Sequence, residues 1–119
     1  MKVYERDSKQ GQRELEVYRH FNSITTEHVG ATLVRTVLDS FEIIQPKGRH
    51  LCLIHEPLGM SLAGLRARAR ERKFPVDLLK STLIHIFHSL DFLHSEANVI
   101  HTGAFISALL IYSIFSHLI

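Results

Sequence analysis

All 26 formal charges of this 119-residue chain, 14 from Lys and Arg and 12 from Asp and Glu, lie in residues 1–96. Residues 97–119 carry none. The asymmetry limits what the chain can fold into: a charged body, then an apolar tail with GAFISALLIYSIFSHLI over 103–119. A helix from Ala97 to Ile119 would extend ~35 Å at ~1.5 Å per residue, enough to cross a bilayer. Asn98, His101, Thr102, Gly103, Ser107, Ser113, Ser116 and His117 dilute it, and no charge follows Ile119 to anchor a far side. A C-terminal membrane anchor over 97–119, a short sticky or buried helix, and a read-through tail without a selected role all remain open.

The body reads as a folded domain. Hydrophobic residues make up 45% of the chain and charged ones 22%, outside the range of disordered sequences. A net charge of +2 is too balanced to argue for a nucleic-acid binder. The single cysteine, Cys52, excludes an internal disulfide framework and suits a reducing compartment. The start, MKVYERDSKQ, is charged and has no apolar leader pattern.

Val3 and Tyr4 open a short strand-like start. Asp7 or Ser8 can cap a helix running to about Phe21, with Leu15, Tyr18 and Phe21 on one face. A polar connection over Asn22–Gly30 leads to two strand candidates, Leu33–Ile44 and His50–His55. Gln45-Pro46-Lys47-Gly48 between them is a turn, because Pro46 presets φ and Gly48 suits the position that closes it. An antiparallel hairpin follows from that. Pro57 and Gly59 break regular structure; Ser61 can cap a short helix bearing Leu62 and Leu65; Pro75 suits the first turn of the next helix. That helix, Val76–Ser95, carries Leu79, Leu83, Ile86, Phe87, Leu90 and Leu93 as a wide apolar stripe. The order β–α–β–β–α–α argues an α+β fold.

Three groups of residues invite chemistry. His85, His88 and Asp91 recur one turn apart and could share a metal, but no Cys pair or HExxH accompanies them. A wet helix face is the better reading, and no metal site is expected. Arg66, Arg68, Arg70, Arg72 and Lys73 could neutralise phosphates. No aromatic is interleaved for base stacking, so a solvated face is expected and no specific nucleic-acid binding. Lys2 and Glu14, a strand Lys followed by a helix Glu, would mean little alone.

Context changes their meaning. Lys2, then R-E-L-E-V-Y-R-H-F (Arg13–Phe21), V-L-D-S-F-E-I (Val37–Ile43), H-L-C-L-I-H-E-P-L-G (His50–Gly59), Leu78–Ser95 and N-V-I-H-T (Asn98–Thr102) arrive in one order. The series resembles the eukaryotic protein kinases: small-lobe strand and helix, fourth and fifth strands, hinge, and the long helix before the catalytic loop. R-E-L-E-V-Y-R-H, E-P-L-G-M-S-L and Thr102 after His101 most resemble the serine/arginine-rich-protein kinases, particularly fungal ones. The resemblance implies a partial kinase fold: 1–58 as small lobe and hinge, 59–102 as the start of the large lobe, and 103–119 as an apolar non-kinase tail. It implies ATP as the nucleotide, with Lys2 on its phosphates and Glu14 as partner to Lys2; in this chain the expected binding is weak or absent, since Lys2 stands beside a terminus that should fray. His55 would be the gatekeeper, and the Glu56 carbonyl and Leu58 amide would face the adenine edge. Serine/arginine-rich proteins would be the substrates, and the cytoplasm or nucleus the compartment.

The departures from that family matter as much. No G-x-G-x-x-G precedes Lys2. Gly103 stands where the H-R-D carboxylate would receive the substrate proton, and it has no side chain to do so. The Mg-holding Asn and Asp are also missing from these 119 residues, so no Mg site is expected. The expectation is a kinase-family fragment without phosphotransferase activity of its own. The alternative is a non-enzymatic anchored or interaction protein built on a kinase body. The stripe on 76–95 should lack partners; a few hundred Å² left wet would forfeit roughly 5–10 kcal/mol, comparable with a whole domain's stability.

Overall fold

Ser8 stops the chain and turns it into a helix. Its Oγ accepts the Gly11 N–H at 3.2 Å, which satisfies one of the donors a helix start leaves open. The helix, α1 (Lys9–Ser23), buries Gly11, Glu14, Leu15, Tyr18 and Phe21 on one face. It runs two residues past the expected end. In the computed structural model, residues 1–57 and 62–100 are described. The stretch over 103–119, Leu58, Gly103 and the expected cap Ser61 lie outside them.

Three strands, β1 (Lys2–Val3), β2 (Asp39–Gln45) and β3 (Gly48–Ile54), form an antiparallel sheet in the order β1-β3-β2. Gln45 stands opposite Gly48, so Pro46 and Lys47 alone make the hairpin turn. Lys2 pairs with Leu53 and Val3 with Cys52, and the Tyr4 N–H continues the ladder to the Leu51 carbonyl at 2.9 Å. The central strand carries the core: Leu51, Cys52 and Leu53 are buried, and α1 lies against β3.

β2 is shorter than the expected Leu33–Ile44. Val29–Leu33 instead forms a turn of 3-10 helix, and the ladder begins where the Leu38 N–H reaches the Ile54 carbonyl at 2.8 Å. Leu33, Val34 and Val37 are apolar because they are buried, not because they pair as a strand.

The chain divides into two compact units, one of Met1–Thr25 with Thr36–Pro57, the other of Thr26–Arg35 with the chain beyond Pro57. The first holds α1 and the sheet. The second holds the 3-10 turn, α2 (Leu62–Arg68), a short 3-10 segment at Arg70–Arg72, and α3 (Val76–Ser95). Pro75 stands just ahead of the first residue of α3 rather than inside its first turn. Thr82, Ser89, Phe92 and Leu93 are the buried residues of α3, while Leu79, Leu83, Ile84 and Phe87 are 42–65% exposed. The buried hydroxyls stay satisfied within the helix, Thr82 Oγ1 donating to the Leu78 carbonyl and Ser89 Oγ to the His85 carbonyl, both at 2.8 Å.

Gly30, bare of a side chain, lets the 3-10 turn approach α3 closely. A Cβ added at Gly30 would overlap the His88 carbonyl oxygen and crowd Phe92. His28 secures the same contact. Its Nδ1 accepts the Gly30 N–H and its Nε2–H donates to the Asp91 carboxylate, each at 2.9 Å. Among the described residues, no helix is long and apolar enough to cross a membrane.

Candidate functional site

A strand places alternate side chains on one face, so Lys2 and Tyr4 share a side of β1 and its extension. A helix places residues three and four apart together, which joins Gly11, Glu14 and Tyr18 on α1. The two patterns meet at Glu14. Lys2 Nζ stands 2.6 Å from Glu14 Oε2, with the Lys2 side chain half-exposed and Glu14 buried. The Tyr4 hydroxyl donates to the same Oε2, and the Tyr18 hydroxyl donates to Oε1 at 3.4 Å. The Lys2 ammonium also lies 4.6 Å from the centre of the Tyr4 ring, within reach of its electron-rich face.

A carboxylate taken out of water needs its oxygens satisfied. Glu14 has an ammonium and two phenols for the purpose. Burial first, and then the Glu14 carboxylate, holds the Tyr4 phenol well above the ordinary range, so it stays protonated and donates.

Sequence reasoning joined Lys2 to Glu14 and missed both tyrosines. The signal was present: Tyr4 is two residues on from a strand Lys, and Tyr18 one helical turn after Glu14.

His55 follows β3 and is buried. Its Nδ1–H donates to the Thr36 carbonyl at 3.0 Å, and its ring meets that of Tyr18 edge-on at 4.9 Å. Glu56 is exposed beside it, and Leu58 lies outside the described residues. Cys52 is fully buried in β3.

His85, His88 and Asp91 do not converge. The His85 Nδ1–H donates to the Ser81 carbonyl at 2.6 Å, while Asp91 faces His28. Among the described residues, no group of three His, Cys, Asp or Glu is arranged to hold a metal ion.

No protein-family profile matches the chain. Individual proteins do. It is 44% identical over 102 residues, 86% of its length, to a serine/threonine protein kinase of Aspergillus fumigatus. It is 30% identical over 89 residues to protein kinase dsk1 of Schizosaccharomyces pombe, and 33% identical over 66 residues to human SRSF protein kinase 3. The chain is homologous to a segment of the SRPK-like serine/threonine protein kinases. It spans 26% of the length of the Aspergillus kinase, 16% of dsk1 and 12% of the human SRSF kinase. Within this SRPK-like family, a three-stranded antiparallel sheet with helices is compatible with part of a kinase small lobe.

Proposed function

We propose that the first unit is the phosphate-holding portion of an ATP site, from a kinase that phosphorylates serine and threonine in serine/arginine-rich proteins. Lys2 would neutralise phosphate oxygens of the nucleotide, and Glu14 would hold the ammonium in place. His55 would back the adenine, with the Glu56 carbonyl and the Leu58 amide as edge groups. ATP, when bound, supplies the phosphoryl group. The observation that carries this reading is the 2.6 Å contact between a strand lysine and a buried helix carboxylate. A chance surface pair would leave both groups wet and would be worth little.

Phosphoryl transfer rests on positioning and charge neutralisation, together with a carboxylate that receives the substrate proton. Gly103 provides none at that position. The 119-residue chain by itself is therefore a nucleotide-contacting body without turnover.

Trace acetylation read by mass spectrometry tests the first half of this. Saturating ATP should protect Lys2 while leaving the exposed Lys47 and Lys80 unchanged. Uniform labelling with and without ATP would overturn it. The second half is tested with Mg-ATP and a serine/arginine-rich peptide: no label above a protein-free control is expected, and stoichiometric turnover would refute it.

A further inference from the structure

We propose that Tyr4 is a positioning residue for Lys2: its hydroxyl pins the Glu14 oxygen that Lys2 uses, and its ring, seated on Gly11, fixes the distance between β1 and α1. The inference rests on the reading of Lys2 as the residue that meets nucleotide phosphate.

Three independent contacts converge on this one side chain. The hydroxyl donates to Glu14 Oε2, the same oxygen that meets Lys2 Nζ. The ring face lies under the Lys2 ammonium at 4.6 Å. The ring also occupies the space a side chain at position 11 would need, since a Cβ there would stand 2.7 Å from Tyr4 Cγ.

Glycine inside a helix costs stability relative to alanine. Gly11 nevertheless sits one turn before Glu14, on the buried face of α1, where only a bare backbone admits the ring. Tyr4 is itself buried, so its phenol has little solvent to turn to in place of Glu14. Lys2 differs: its side chain is half-exposed and long, and its ammonium can leave the pair for solvent. The buried phenols of Tyr4 and Tyr18 therefore set where the carboxylate stands, and the carboxylate sets where Lys2 stands.

The test is trace acetylation of the nucleotide-free 119-residue chain. Tyr4→Phe keeps the ring and its seat but removes the pin. Lys2 should then react about fivefold faster, the scale of one net hydrogen bond, with Lys47 and Lys80 unchanged. Gly11→Ala keeps every polar group but displaces the ring, and should expose Lys2 in the same selective way. Glu14→Gln marks the ceiling for a lost pair.

Unchanged Lys2 reactivity in both Tyr4→Phe and Gly11→Ala would overturn the inference. So would slower labelling in Tyr4→Phe, which would mean that the phenol competes with Lys2 for the oxygen. Faster labelling of all three lysines together would show general loosening and would also overturn it. ATP titration separates the two levels. Selective Lys2 exposure without ATP protection of the parent chain would remove the nucleotide reading and leave the positioning role standing.

Discussion

The two units solve opposite problems. In the first, a carboxylate is buried and every partner it needs comes from nearby chain: Lys2 and Tyr4 from one strand, Tyr18 from the same helix. In the second, α3 buries Phe92 and Leu93 together with Thr82 and Ser89 and leaves Leu79, Leu83 and Phe87 exposed. Polar burial is all-or-nothing, because an unpaired buried charge is costly, whereas an apolar face left wet only forfeits a gain. The difference shows which surface is complete within the described residues and which is not.

Paired truncations on α3 should break the comparison most sharply. Phe92→Ala removes a buried ring and should cost about 3–5 kcal/mol in urea unfolding followed through the second unit. Phe87→Ala, five residues earlier on the exposed side, should stay within about 0.5 kcal/mol. Equal losses at the two positions would mean that the orientation of α3 is wrong.

Gly30→Ala comes next. Its methyl group would meet the His88 backbone carbonyl rather than a side chain that can swing away, and about 2–3 kcal/mol is expected. Hydrogen exchange should speed up over 29–33 and in α3, and the amides of β3 should not follow.

The smallest effect tests the first unit. The folded-state pKa of Tyr4 is raised, so the unfolded chain loses that proton first as the pH climbs through about 10. This contribution is present in full below about 10 and falls above it by up to ~1.4 kcal/mol per pH unit. Tyr4→Phe should remove that slope from alkaline denaturation. Phenolate absorbance of the native chain should likewise lack the Tyr4 contribution at a pH where free phenols ionise.

Much of the fold was legible because local chemistry decided it. Ser8 caps α1 as its type and position suggest; Pro46 and Lys47 turn the hairpin; α3 runs from Val76 to Ser95. Leu33–Val37 was misread as strand because burial and β-pairing both select apolar residues, and only the ladder tells them apart. The stripe on α3 was visible, but periodicity shows that a face is apolar, not that anything covers it. Lys2 and Glu14 were legible through family order. Tyr4 on Gly11 and His28 on Asp91 were not, since each joins positions whose nearness depends on how elements pack. Asp91 illustrates this: its spacing suggested His85 and His88 as companions, and its partner is His28, 63 residues away.

The most direct measurement is side-chain NMR of Glu14→Gln with isotope-labelled lysine and tyrosine. A buried carboxylate that gathers Lys2, Tyr4 and Tyr18 requires all three signals to move together, while Lys80 and the residues of α3 stay in place. If the Lys2 and Tyr4 signals remain where they were in the parent chain, Glu14 does not hold them, and the lysine–carboxylate site is not there.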